Sequence, residues 1–293
     1  MRRSVIASTL VTLALAAPGF AQQPRLINGR LAPQPAAQGL DRIFRGLVAA
    51  QTEPAWIGYA VPIAAGDHTM CCYGDGWMTR CGLEPSDTRF RTDAQAQTRT
   101  TGPVRLEGPE SMIVLFRIEE KVVQKIRTFT PDCELDAGGR TIHWLEGVAP
   151  AESVALLASL ISRDEQKRNR VTNGALAAIS MHRDPSAEST LLRLAREDAS
   201  SKVRGEAIFW LAQKAGDKAA AQITAAIDQD PDTDVKKRAV FALSQLPKDE
   251  GVPLLIQVAR NNKNPAVRKQ AMFWLGQSRD PRALDFFAEV LGK

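Results

Sequence analysis

Histidine and tyrosine are scarce in this chain: its 293 residues hold three histidines, His68, His143 and His182, and only two tyrosines. The three histidines fall in separate stretches, so no H-E-x-x-H helix is available to hold a catalytic metal. G-x-S-x-G, Walker and G-x-G-x-x-G signatures are missing too, which removes the motif grounds for a hydrolase or a nucleotide-dependent enzyme. No C-x-x-C occurs, so neither thioredoxin-like redox chemistry nor haem attachment is indicated. After the first 21 residues no stretch approaches roughly 18 consecutive apolar residues, and no membrane-spanning helix is expected. A strong charge of one sign is also lacking. Residues 22–150 carry 14 Lys and Arg against 15 Asp and Glu, and residues 151–293 carry 22 against 18. So slight a surplus argues against a nucleic-acid partner.

What is present begins with a leader. Arg2 and Arg3 precede an apolar run from Val5 to Ala17, then Pro18-Gly19 and the small residue Ala21. This is the layout of a secretory signal peptide over residues 1–21, with cleavage expected after Ala21. No cysteine follows the run to take a lipid, so a soluble periplasmic or secreted product without stable membrane insertion is expected. Residues 22–39 are rich in Gln, Pro and Ala and predict a mobile mature N-terminus.

Residues 40–148 predict an α+β unit. Leu40, Ile43, Phe44, Leu47 and Val48 share one helical face. Trp56–Ile63 alternates Ile57, Tyr59, Val61 and Ile63 on one strand face, with Pro62 arguing for a sheet edge. Met112–Ile118 and Val122–Phe129 flank Glu119-Glu120-Lys121 as a hairpin of open turn type, and Thr141–Leu145 forms a last strand in a small antiparallel sheet.

All four cysteines, Cys71, Cys72, Cys81 and Cys133, lie in this unit. An even count in an exported chain predicts two disulfides. Neighbouring Cα atoms sit about 3.8 Å apart, too close for an unstrained Cys71–Cys72 bridge, so each would pair with one of Cys81 and Cys133. The competing reading is a zinc site on His68, Cys71, Cys72, Cys81 and Cys133, which lacks the paired C-x-x-C arms of a strong zinc signal. Neither metal nor cofactor is assigned, and His143 beside Trp144 reads as a packed strand residue.

Residues 149–293 are periodic. Val171, Val203, Val235 and Val267 open four phrases in step, and the step is 32 residues. The fourth residue after each valine is alanine, Ala175, Ala207, Ala239 and Ala271, and the eighth is Ile179, Leu211, Leu243 or Leu275. A helical pattern inside a fixed period of this size marks a stacked solenoid of helix pairs. Pro150 opens a helix that caps the array, with Val154, Leu156, Leu157, Leu160 and Ile161 on its apolar face. Ser200, Asp232 and Asn264 predict N-caps, and Leu191, Ile223, Leu255 and Phe287 stand in register in the second helices. Arg168 holds the first repeat's cap slot, so that helix is expected to begin nearer Ser162 or Asp164.

The V-R-x-x-A-x-x-x-L phrases at Val203 and Val267, and V-K-x-x-A-x-x-x-L at Val235, resemble HEAT repeats, in the short variety found in bilin lyases and deoxyhypusine hydroxylase. The resemblance covers residues 164–293 and implies an all-α HEAT-like solenoid behind the α+β unit. The His-Glu pairs that hold iron in deoxyhypusine hydroxylase do not occur, so that activity is not implied. The front half, with its Trp56–Tyr59 segment (W-I-G-Y) and the Cys71-Cys72 pair, also resembles the leader domain of uncharacterised exported bacterial HEAT-repeat proteins, a similarity that brings no activity with it.

On a helical wheel, offsets 0, 4, 7 and 8 from each valine form a core face, and 3, 6 and 10 a flank. Offset 7 includes Trp210 and Trp274, and Trp274→Ala is expected to cost ~3–5 kcal/mol. Offset 6 is Phe209, Phe241 and Phe273; offset 10 is Gln213, Gln245 and Gln277. These rings and carboxamides either pack between repeats or form a ridge for a protein partner. Arg204, Lys236 and Arg268 at offset 1 read first as repeat-stabilising cations. A non-enzymatic, exported protein-interaction scaffold of the cell envelope is therefore expected. The alternative is a metal-dependent enzyme or sensor with its site among the cysteines.

Overall fold

The computed structural model describes residues 23–66, 70–71, 80–84, 109–162, 168–215 and 219–292. The leader, His68, Cys72 and the Gly216-Asp217 turn lie outside them, as do residues 163–167, where the first repeat's helix was expected to begin.

The front unit is a helix layer, a five-stranded sheet and a small second sheet, stacked in that order. Its strands are β1 (Arg25–Ile27), β2 (Arg30–Pro35), β3 (Ala55–Pro62), β4 (Arg80–Gly82), β5 (Ser111–Glu119), β6 (Val122–Phe129), β7 (Glu134–Asp136) and β8 (Thr141–Glu146). Helix α1 (Leu40–Ala50) lies between β2 and β3 in sequence, and α2 (Pro150–Ser159) follows β8. The large sheet runs β2-β8-β3-β5-β6 and the small one β1-β7-β4.

Three expectations are corrected here. Residues 25–35 are not a mobile lead-in but two strands, because β2 pairs in parallel with β8 from Arg30 opposite Thr141 to Pro35 opposite Glu146. Leu26 and Leu31 pack against the inter-sheet core, while Pro33 and Pro35 are tolerated because β2 is an edge. The large sheet is mixed rather than antiparallel: β8 runs parallel to β2 and β3, and only β3-β5-β6 alternate. Strand β3 is central rather than an edge. Pro62 is accommodated as its last residue, beyond the Trp56–Gly58 stretch that β8 pairs with.

The alternation within β3 holds. Ile57, Tyr59, Val61 and Ile63 face the helices, with Leu40 and Phe44 of α1, and Trp56 and Ala60 face the small sheet. Phe44 meets Phe116 edge-on at 4.8 Å. At Gly58 any side chain would collide with Leu115 and the Val114 carbonyl of β5, which lie 2.3 and 3.1 Å from a Cβ built there. The β5–β6 hairpin turns on Glu120 and Lys121, both left-handed at φ 53° and 58°, the backbone of a type I′ turn built without Gly or Asn.

The helical half begins with a π-helical turn, Arg168–Thr172, that runs into α3 (Asn173–Met181). Then come α4 (Pro185–Glu197), α5 (Ser201–Ala215), α6 (Ala220–Gln229), α7 (Thr233–Ser244), α8 (Lys248–Asn261), α9 (Pro265–Ser278) and α10 (Pro281–Leu291). The odd-numbered helices carry the 32-residue phrases. Offsets 0, 4 and 8 are buried in all four repeats. Asp232 and Asn264 cap α7 and α9 through their side-chain oxygens, as the N-cap pattern predicts, and Ser200 directly precedes α5. In the second helices Leu191, Ile223 and Leu255 are buried, but in α10 Phe286 is buried and Phe287 only partly so. The terminal helix has no following partner among the described residues to bury the in-register position.

First helices pack closely on one another, α5 on α7 and α7 on α9, whereas second helices touch each other little. The array therefore curves toward its first helices, which form the concave side. At the front end α2 covers α3 and α4, and strand β6 packs on α3 and the π-turn. Gly174 permits that approach, since a Cβ there would sit 2.6 Å from the Ile126 carbonyl oxygen. The array's end is thus closed by α2 and the sheet edge together. One hydrophobic core runs from Leu40 through Val154 to Phe286 without a break.

Candidate functional site

Among the described residues, three places combine polar chemistry with defined geometry: the cysteine region, the joint between sheet and array, and the flank of the first helices.

In the cysteine region Cys71 is bonded to Cys133, with Cα atoms 5.1 Å apart and a sequence separation of 62. Cys81 is disulfide-bonded as well. The sulfurs that a zinc site would need are therefore held in bridges, which favours the staple reading. Cys81 and Cys133 are buried between the sheets with Trp56, Phe129 and Trp144. Glu84 beside them accepts the Trp56 indole N–H at 2.8 Å and the Arg117 guanidinium at 2.9 and 3.1 Å. Burial alone would raise the Glu84 carboxyl, but the bonds from Arg117 and Trp56 outweigh it and hold it below the usual range. This cluster ties the small sheet to the large one.

At the joint, Tyr59 of β3, Ser153 of α2 and His182 at the end of α3 form a chain of hydrogen bonds. His182 Nδ1 lies 2.7 Å from the Ala178 carbonyl oxygen, which can only accept, so Nδ1 carries the proton. Nε2 then accepts from the Ser153 hydroxyl at 2.8 Å, and Ser153 Oγ accepts from the Tyr59 hydroxyl at 2.8 Å. Burial pushes His182 down to about 4 and holds the Tyr59 hydroxyl above its usual range. A Ser–His contact invites a nucleophilic reading, but Tyr59, Ser153 and His182 are each 0% exposed. With no access for a substrate, the chain acts as a dry polar joint. Lys214 of α5 adds a clamp, donating to the Ser180 and His182 carbonyls at 3.2 and 2.7 Å. Backbone bonds complete it, Ala64 N–H to Met181 O and Arg183 N–H to Pro62 O.

His143 lies apart from all this, half-buried on β8, its Nε2 3.2 Å from the Gln51 amide nitrogen, and burial lowers its basicity. It lines a surface hollow with Arg30, Gln51 and Arg140.

On the array, the offset 1 side chains reach back to the preceding helix end. Arg204 donates to the Asp198 carbonyl at 2.9 Å, Lys236 to that of Asp228 at 2.8 Å and Arg268 to that of Asn262 at 2.8 Å. In the first repeat Thr172 takes the role, its hydroxyl bonded to Ser162 N–H and C=O. Cations at a helix C-terminus satisfy orphan carbonyls and complement the helix dipole. Arg204 alone adds a bidentate pair to Asp230 of the next repeat, at 2.8 and 3.0 Å, nearly buried. The stabilising reading of these cations holds.

Sequence reasoning missed a second ladder beside this one. Asp198, Asp230 and Asn262 each accept from the backbone N–H two residues on, at 2.8, 2.8 and 3.0 Å. The signal was available, since these residues too stand 32 apart, but it is polar and lies in turns rather than on the apolar face.

The flank carries the candidate docking residues. Phe209 and Phe241 stack between repeats, centroids 5.7 Å apart and planes within 4°, and Phe241 packs on Trp274 at 4.8 Å. Phe209 and Phe241 are half-buried, and Phe273 is 53% exposed. Gln213, Gln245 and Gln277 are exposed in all three repeats. Both readings of the flank are therefore partly realised: the rings join repeats, and the carboxamides stand free of the core beside them. Glu206 and Arg238, both at offset 3, form an ion pair alongside. Trp210 and Trp274 at offset 7 are only half-buried, unlike Ala178 and Ala242 at the same offset, because the indole is too large to fit inside the core face. The Trp274 indole N–H is buried without an acceptor. Between α7, α8 and α9 lies a depression of about 210 Å³ lined by Gln245, Trp274 and Gln277.

A HEAT-repeat family profile matches residues 220–293. No curated protein sequence matches the chain. Among solved structures, the CpcE–CpcF complex of phycocyanin lyase from Nostoc sp. PCC7120 aligns at 16% identity, covering 48% of this chain and 89% of that one, with a TM-score of 0.38. YIBA of E. coli aligns at 22% identity, covering 48% and 53%, with a TM-score of 0.34. The profile places HEAT repeats in residues 220–293, and the same 32-residue register runs back to Val171, so the helical half is one solenoid of stacked helix pairs, of the kind that presents an extended surface to protein partners.

Proposed function

We propose that this chain is an exported, non-enzymatic scaffold that holds a partner protein on the concave, first-helix side of its HEAT array. The observation that carries the reading is the set of three in-register Phe-x-x-x-Gln rungs, whose carboxamides are exposed in each of the last three repeats. Core-forming offsets have no need of an exposed amide at the same place three times. Export is supported by the leader pattern of residues 1–21, and two staples suit an oxidising compartment. The enzyme alternative draws no support from the cysteines, which are bonded, or from Ser153 and His182, which are sealed.

Cell fractionation with mass measurement of the mature chain tests the export half, with the expected N-terminus at Gln22. Affinity capture from envelope extract tests the docking half. The variant should be Phe273→Ala with Gln245→Ala and Gln277→Ala, since these side chains are exposed and their loss leaves the Phe209–Phe241 stack in place. The expected result is loss of the captured partner. Cytosolic retention, or an unchanged partner set, contradicts the reading.

A further inference from the structure

We infer that the apolar stripe on α10 is a docking slot for an amphipathic helix of another protein, one whose buried face repeats the phrase of this chain's own first helices. The slot lies on the last helix and not on the concave flank, so the inference goes beyond the docking reading and does not depend on it.

The molecule shows three times what such a slot takes. Each of α4, α6 and α8 packs more extensively on the first helix of the following repeat, α5, α7 and α9 in turn, than on the first helix of its own repeat. In α8 an apolar stripe stands at offsets 17, 20, 21 and 24 from Val235: Val252, Leu255 and Ala259 are buried and Ile256 partly so. In α10 the same offsets from Val267 hold Leu284, Phe287, Ala288 and Leu291, again one helical stripe at i, i+3, i+4 and i+7. There Leu284 is 69% and Leu291 81% exposed, against 3% for Val252 and for Ala259. This is a second apolar face and not a frayed end, because α10 buries Ala283 and Phe286 in the core on another side. Of the five large apolar side chains exposed among the described residues, Phe273, Leu284, Val290 and Leu291 all belong to the last helix pair. A terminal repeat that stands alone turns a polar face outward, whereas α10 keeps the stripe of an internal one.

The chemistry of the occupant follows from the three helices that fill this place earlier in the array. Each brings a valine, an alanine four residues on and a leucine eight residues on, all buried, with Ala207, Ala239 and Ala271 completely so. A methyl group at the centre of the contact lets two helices approach closely. Beside each valine a cation, Arg204, Lys236 or Arg268, bonds a carbonyl at the end of the preceding second helix. The last turn of α10 offers carbonyls of the same kind. A second folded copy does not supply such a helix. Its first helices already bury offsets 0, 4 and 8 in their own stack, and its front end is closed by α2 and β6. The occupant is therefore a helix of a different protein, with Val, Ala and Leu spaced by four and a cation next to the valine.

The test measures fluorescence anisotropy of a labelled peptide copying residues 232–245 on the full-length mature protein, the peptide held helical by a hydrocarbon staple between positions 234 and 238. Asp234 and Arg238 are exposed on α7, so the staple leaves the apolar face free. Two comparators carry the same staple, one with Ala239→Leu and one with Val235→Asp and Leu243→Asp. We expect the parent peptide to bind and each comparator to bind roughly tenfold or more weakly. Leu284→Glu/Leu291→Glu in the protein should weaken the parent peptide by about as much, with an unchanged thermal midpoint, since both leucines are exposed. No binding of the parent peptide, equal binding of either comparator, or unchanged affinity of the folded double variant overturns the inference. So does a dimer of the mature protein, seen by sedimentation, that the double variant dissolves, because a second copy would then fill the slot. Gln245→Ala/Gln277→Ala should leave peptide binding as it is. A loss there would put the peptide on the concave flank, which sinks the slot and leaves the docking reading standing.

Discussion

In the sheet block, outside the local β5–β6 hairpin, the ties join places remote in sequence, such as Cys71 to Cys133 and Arg30 opposite Thr141. In the array the equivalent work is done between near neighbours and then repeated, Arg204 to Asp198 and Asp230, Lys236 to Asp228, Arg268 to Asn262. A block of the first kind closes large loops and gains most from covalent staples. The second kind closes small ones and gains from stacking, so its stability is close to a sum over repeats. The joint at Tyr59, Ser153 and His182 is where the two designs share one core.

The largest expected effect separates the halves by redox state. Cys133→Ser with Cys71→Ser should cost about 4 kcal/mol in the chain-entropy picture for a loop of this length. Denaturant unfolding followed through the indoles of Trp56 and Trp144, in a background with Trp210 and Trp274 replaced by Phe, and through helical circular dichroism should show the loss in the sheet block. A loss confined to the helical signal would invert the comparison.

Next in size is the pH response of the joint. His182 is held neutral in the fold at about 4, against about 6.5 when unfolded. The unfolded chain therefore binds the proton first as pH falls. The stability that depends on a neutral His182 is whole above about 6.5 and declines toward 4, on the order of 3 kcal/mol across the window. His182→Gln should flatten this part of the pH profile of the unfolding free energy, while lowering stability at pH 7. An unchanged slope between pH 6.5 and 4 would mean the proton goes elsewhere.

A smaller effect sharpens the idea of additivity in the array. Arg204→Met breaks a nearly buried bidentate pair and leaves Asp230 unpartnered on that side, an expected cost of about 2–3 kcal/mol. Arg268→Met removes only carbonyl contacts and should cost about 1 kcal/mol. Equal losses by chemical denaturation would show that Asp230 contributes nothing beyond the shared capping role.

How much could be read beforehand follows the same division. Val203, Ala207 and Leu211 announce their burial because the helix repeats the same solution every 32 residues, so one wrong assignment would be contradicted three times. The half-burial of Trp210 and Trp274 escaped that logic, since a wheel gives direction but not the room available for an indole. In the sheet block the β3 alternation was legible, being local. The parallel pairing of β2 with β8 was not, because no property of Arg30–Pro35 names a partner so far along the chain. Composition misled there: a stretch rich in Gln and Pro forms a strand when an edge position spares Pro33 and Pro35 the bonds they cannot make. Likewise Ser153 carries no sequence signal for its bond to His182, which exists only once α2 has folded over the sheet.

The central claim, that a partner lies on the concave side of the first helices, is tested most directly by site-specific photocrosslinking in the envelope. A photoreactive residue at Gln245 or Gln277 probes that side, and one at Gln257, exposed on α8, probes the second-helix side. The account predicts a discrete crosslinked partner from the first two positions and none from Gln257. The same partner captured from Gln257, with silence at Gln245 and Gln277, would contradict it.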